Sequence, residues 1–132
     1  MLLSAPLLCA VLWSAGPEPV LRLHDQQDGS THMLKIGARA TVELTSAADS
    51  GLRWELLEPP ISVVLRQVGG VEVAQASNKQ GGAWRIQRWT FEASGAGGQR
   101  LRFEQRRPGE VKRESERYLS FVIEVENRKG RP

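Results

Sequence analysis

Apolar and polar residues alternate along most of this chain with a period of two. That period puts successive side chains on opposite faces of an extended segment, so it predicts strands with one buried face. Val20-Leu21-Arg22-Leu23 opens the series, Asp28-Gly29 signals a turn, and Met33-Leu34-Lys35-Ile36 runs up to Gly37. Ala40, Val42 and Leu44 then point one way while Thr41 and Glu43 point the other. After a small, polar loop over 45–51, Leu52, Trp54 and Leu56 alternate with Arg53 and Glu55. Pro59-Pro60 stops that strand, because proline cannot donate to a ladder. Short apolar runs at 61–65 and 71–74 flank Gly69-Gly70, and 77–82 reads as a second flexible loop.

A longer strand spans 84–93, with Trp89, Phe91 and Ala93 on one face. Trp84 and Ile86 fall in the opposite phase, which predicts a bulge between the two sets. Gly95-Ala96-Gly97-Gly98 reads as a hairpin turn. It lacks the Lys and Ser/Thr that complete a phosphate-cradling loop, and no helix follows it. Leu101, Phe103 and Gln105 share a face, a charged loop covers 107–117, and Leu119, Phe121, Ile123 and Val125 form a closing core strand. No segment keeps a 3.6-residue period over about eleven positions. Short strands at this spacing predict an all-β, immunoglobulin-like β-sandwich of about seven or eight strands. The domain covers residues 20–126, and 127–132 reads as a flexible tail.

Composition narrows the function. The chain has 132 residues, 40% apolar and 25% charged, which suits one globular domain. Twelve of its 18 Lys/Arg lie after residue 84, but Glu104, Glu110, Glu114 and Glu116 interrupt them, so no continuous basic stripe points to nucleic acid. The lone cysteine, Cys9, excludes an internal disulfide and a cysteine-based zinc site. It sits in the apolar segment 1–16, which reads as a signal peptide or a truncated remnant of one and is too short to span a membrane. A periplasmic or secreted location is therefore expected. His24 shares the outward phase of Arg22, and Asp25 and Asp28 beside it fall short of a calcium loop's ligand ladder. No metal, cofactor or catalytic constellation stands out, so a binding protein is the better class than an enzyme.

The order of local motifs resembles the chagasin family of cysteine peptidase inhibitors, from about Leu21 to Val125. Leu34-Lys35-Ile36-Gly37 is similar to the family's opening Leu-Lys-Val-Gly. Ala47-Ala48-Asp49-Ser50-Gly51, with Trp54 three positions on, stands where the family carries Asn-Pro-Thr-Thr-Gly and then a tryptophan. Lys79-Gln80-Gly81-Gly82 resembles the family's Gly-X-Gly-Gly loop, and Phe91-Glu92-Ala93 its Phe-X-Ala strand. Arg107-Pro108-Gly109 resembles its Arg-Pro-Trp loop, with glycine in the aromatic position. The resemblance implies a monomeric, reversible, competitive inhibitor that occludes the active-site cleft of a papain-like peptidase with three loops. The first loop would sit over the catalytic cysteine and the other two would grip the cleft walls. An aromatic at 109 would then be expected to strengthen the grip. The alternative is an immunoglobulin-like secreted binding module that keeps the fold and recognises another partner, since function lives in the loops rather than in the fold.

Overall fold

A computed structural model describes residues 19–58, 60, 63–77, 82–109 and 117–127. The segment 1–16, residues 61 and 62 of the first apolar run, and 128–132 of the tail lie outside the described residues. Among the described residues there are nine strands, one or two more than the alternation predicts: β1 Leu21–His24, β2 Thr31–Lys35, β3 Arg39–Ala47, β4 Arg53–Leu56, β5 Leu65–Gln67, β6 Glu72–Ser77, β7 Ala83–Ala93, β8 Gly97–Arg106 and β9 Arg117–Glu126. Among the described residues the only helical element is a 3-10 turn at Asp25–Gln27.

The strands form two sheets. One runs β1-β3-β7-β5, with β6 also paired to β7, and the other runs β2-β9-β8-β4. The apolar faces read from the sequence meet between them. Leu23, Val42, Leu44, Trp89 and Phe91 of the first sheet pack on Trp54, Leu101, Phe103, Phe121 and Ile123 of the second. Trp89 meets Phe103 edge-on at 4.8 Å, and Phe103 meets Phe121 at 6.1 Å, both within the range that favours aromatic pairs.

Three local expectations need correction. The bulge in the long strand is absent: β3 and β7 keep one register from Arg39↔Glu92 to Ala47↔Trp84. The inward face simply continues past Trp89 to a polar residue, Gln87, which is buried, while Ile86 and Trp84 point outward. Second, 45–47 is not loop but the end of β3, paired with 84–86. Third, the segment after Ala93 is not a hairpin. β7 and β8 belong to different sheets, and the chain crosses from one to the other between them. Gly97 and Gly98 are already ladder residues opposite Val125 and Glu124.

That crossing explains Gly95. A Cβ built there would lie 2.3 Å from the Val63 carbonyl oxygen, which is backbone and cannot swing aside. Gly95→Ala should therefore destabilise the sandwich by about 1–3 kcal/mol, the usual range for overpacking. Thermal denaturation reads this as a fall in Tm of roughly 4–8 °C per kcal/mol for a domain near this size. An unchanged Tm would show that the crossover has room to give.

Candidate functional site

Strand registers decide which loops lie together. Ala47 at the end of β3 is opposite Trp84 at the start of β7. Ser77 at the end of β6 is opposite Ala83. In the other sheet Arg53, which begins β4, is opposite Arg106, which ends β8, and Gln105 is opposite Arg117 at the start of β9. All three connections, β3–β4, β6–β7 and β8–β9, thus emerge at the same end of the sandwich. The described strand ends that carry the sequence-predicted loops lie together, with the first loop shortened to 48–52.

The interior under that end is polar rather than apolar. The Gln87 side chain reaches across from β7 and pairs with both backbone groups of one residue of β4. Its Oε1 accepts from the Trp54 backbone N–H at 2.8 Å, and its Nε2 donates to the Trp54 carbonyl at 2.9 Å. The Trp54 ring, 1% exposed, donates its indole N–H to the Thr45 carbonyl at 2.9 Å. Beside it Gln105 Nε2 donates to Ser46 Oγ at 3.1 Å. The Arg117 guanidinium lies 5.5 Å above the Trp54 ring, a cation–π distance. These contacts tie the two sheets together directly beneath the loops.

The first loop is held at almost every residue. Ala48 N–H donates to the Ala83 carbonyl at 3.0 Å, joining it to the β6–β7 side. Ser50 closes a tight turn: its N–H and hydroxyl both donate to the Ala47 carbonyl, and its Oγ accepts from Leu52 N–H at 3.1 Å. Gly51 follows at φ +78, the left-handed conformation that glycine adopts without a Cβ penalty. Arg107 Nε donates to the Ser50 carbonyl at 3.2 Å, joining the β8–β9 side. Arg85 Nη1 reaches the Leu52 carbonyl at 3.4 Å.

Of the residues expected to contact a peptidase, Ala47 belongs to β3, Ala48 to Gly51 form the first loop, and Gly82 borders it across β7. Arg107, Pro108 and Gly109 stand exposed at the start of the third loop. Lys79, Gln80 and Gly81 lie outside the described residues, as does 110–116. Gly109 has φ +87. A left-handed backbone costs a non-glycine residue about 1–2 kcal/mol, which offsets most of the gain expected from an aromatic there. Gln87, Arg85 and Trp84 were not singled out by sequence reasoning. The signal for Gln87 was its place in the Trp89–Phe91 phase, where a buried glutamine needs partners for both ends of its amide.

The residues near the histidines are committed to the fold. Asp25 accepts from Thr45 N–H and hydroxyl, and Asp28 accepts from Ser120 N–H at 2.8 Å. His32 pairs with Ser30 at 2.7 Å, and His24 faces Glu43 on the outside of the sheet.

Residues 33–125 match the model of the Chagasin family peptidase inhibitor I42. The chain belongs to the chagasin family of peptidase inhibitors. Its fold agrees with solved structures of low sequence identity. The cysteine protease inhibitor EhICP2 from Entamoeba histolytica superposes with a TM-score of 0.69 at 14% identity, covering 83% of this chain and all of that one. Amebosin gives 0.62 at 16% identity, with 83% and 100% covered. PbICP-C, solved in complex with falcipain-2, gives 0.52 at 16% identity, with 80% and 98% covered. No curated protein sequence matches the chain. Family membership makes this an inhibitor rather than an enzyme.

Replacing Gln87 with leucine tests that bracing. The substitution strands the N–H and C=O of Trp54 in the interior, and each lost partner costs about 1–3 kcal/mol. Q87L should lose about 2–4 kcal/mol of stability in urea denaturation. The Trp54 indole N–H should also exchange faster with deuterium. A variant as stable as the parent, with the same exchange, would mean that the bracket is dispensable.

Proposed function

We propose that this chagasin-family protein inhibits papain-like cysteine peptidases reversibly and competitively, by inserting the end formed by residues 48–52, 78–82 and 107–116 into the active-site cleft. The observation that carries the reading is the double tether of the first loop. The Ala48–Ala83 and Ser50–Arg107 hydrogen bonds join it to both flanking connections. The first loop is therefore braced on both sides, at Ala83 and at Arg107, instead of standing alone. A stiff edge loses little conformational entropy on docking, so more of the contact energy is kept as affinity. The complex of PbICP-C with falcipain-2 supports a papain-like partner, and the fold similarity to that inhibitor extends over most of this chain.

Binding by exclusion fits the residues on the edge. Ala48, Ser50 and Gly51 are small and bring backbone close to whatever lies opposite, and they offer no acid, base or nucleophile pair. The first loop sits over the catalytic cysteine, and the flanking segments, with Gly82 on one side and Arg107 and Pro108 on the other, lie against the cleft walls. A secreted or periplasmic location follows from the apolar segment 1–16 and places the inhibitor where exported peptidases act. N-terminal sequencing of the native protein should begin between about residues 15 and 21 if that segment is removed.

Titration of the purified protein against papain and a cathepsin-L-type enzyme is the direct test. Inhibition should be competitive and fully reversible on dilution. Gly51→Val forces a β-branched residue to φ +78. The strain of about 1–2 kcal/mol should shift the loop and weaken inhibition roughly 5–30-fold, with a smaller effect on folding. A parent that inhibits, with a folded variant of equal potency, would remove the first loop from the contact edge. A parent that inhibits neither enzyme would remove papain-like peptidases as the target.

A further inference from the structure

We propose that Trp84 is an additional specificity-determining contact, extending the inhibitory edge onto the outer face of the first sheet, where its indole packs on an apolar wall bordering the peptidase cleft. This rests on the inhibitory reading above and adds to it a residue outside the three loops.

The ring is in an unusual place. Trp84 lies on β7, pointing away from the core, and is 41% exposed. Its cross-strand neighbours are Ala47 on β3 and Ala76 on β6. Directly opposed residues share a face of the sheet, so the indole's direct partner on either side is a methyl group. Longer side chains would cover it, as they do further along the same face. There Arg88 lies between Glu43 and Glu72, its direct partners in the same two strands. The cross-strand partners on this face thus change from long charged side chains to alanines just where it meets the loop end.

That surface is continuous with the first loop. Trp84 lines a shallow groove together with the small residues Ala47, Ala48, Gly82 and Ala83 and the polar Asp49 and Gln75. Ala48 and Ala83 in that lining are hydrogen-bonded to each other. A body that covers Ala48 and Gly82 from outside the molecule must come over this groove and meet the indole. The residue is also rigidly carried. At this position β7 is paired on both sides, so the backbone is fixed before binding, and only two side-chain torsions remain to be ordered. A large ring with few torsions, small neighbours and a fixed base is the usual make-up of a binding hot spot.

The experiment compares inhibition constants of the parent, Trp84→Ala, Trp84→Phe and Met33→Ala against papain and a cathepsin-L-type enzyme. Met33 is a second exposed apolar residue, 58% exposed on β2, away from the loops. Trp84→Ala should weaken inhibition about 10–30-fold, and Trp84→Phe by less, as expected for loss of an aromatic anchor. Met33→Ala should match the parent. The loss should differ between the two enzymes, because the wall beyond the catalytic cysteine differs between peptidases. Unfolding curves exclude a folding defect, and Trp84→Phe keeps the test valid if the alanine variant is unstable. A parent that inhibits while both folded Trp84 variants stay within about twofold overturns the proposal and leaves the loop mechanism standing. Unchanged inhibition with a dimer in the parent that Trp84→Ala converts to monomer assigns the face to self-association, and also overturns it. A parent that inhibits neither enzyme overturns both readings.

Discussion

The Gln87 amide is the interaction on which the functional end depends. It occupies a core position between Trp89 and the loops, where the rest of the face is apolar. A primary amide buried without partners would be strongly destabilising. Here both ends are matched to one residue of the opposite sheet, through the N–H and C=O of Trp54. An apolar side chain could fill the same space, but it could not define where β4 begins. The amide does, because it accepts and donates only in one register. With Trp54 fixed, its indole bonds to Thr45 and so spans the first loop from its far end to its near end. The loop between them has little freedom left. Ser50 and Gly51 then supply the turn that connects two already fixed points.

This gives the two ends of the sandwich different physical characters. Around Phe103, Phe121 and Leu101 the sheets meet through interlocking rings and aliphatic side chains, which are tolerant of direction. That packing supplies most of the burial and holds the sheets face to face. Around Gln87, Gln105 and Ser46 they meet through hydrogen bonds, which are directional. Apolar packing keeps the molecule folded, and the polar contacts specify the relative position of the strand ends that carry the loops. Inhibition by occlusion needs the second property, because a wedge that must find its shape in the cleft gives up affinity in doing so.

The strands and the core were legible because a period of two is imposed by geometry. Leu101, Phe103 and Gln105, or Phe121, Ile123 and Val125, could face only one way together. The errors came where polar residues carried on an inward phase. Gln87 looked like the end of the Trp89 face, so Trp84 and Ile86 seemed to require a bulge, whereas the register is unbroken to Ala47↔Trp84. Thr45, Ser46 and Ala47 looked like loop because they are small and polar, yet Ser46 is buried against Gln105. Glycines misled in the same way. Gly97 and Gly98 suggest a hairpin, but they are strand residues after a crossover between sheets, and the glycine that the crossover needs is Gly95. Pairing partners far apart in sequence decided each case, and local composition does not carry that information. Family resemblance supplied the positions of the loops, while the bonds that hold them, Arg107 to Ser50 and Ala48 to Ala83, depend on the three-dimensional pairing.

Departures of this chain from the family's loop motifs make sense on the same footing. A first loop of Ala-Ala-Asp-Ser-Gly offers few side-chain contacts, so its contribution to binding comes from backbone held at a fixed height above the sandwich. Such a loop works only if something else sets that height. In this chain the height is set by Ser50 closing back on Ala47, by Arg107 from the third connection and by Arg85 from β7. Of these, Arg107 has a dual position, exposed to solvent and bonded to the first loop. Its Nε holds the Ser50 carbonyl from a position at the surface. The third connection thus braces the first loop through its first residue although glycine stands at 109. Side chains around the first loop act here as supports for main chain.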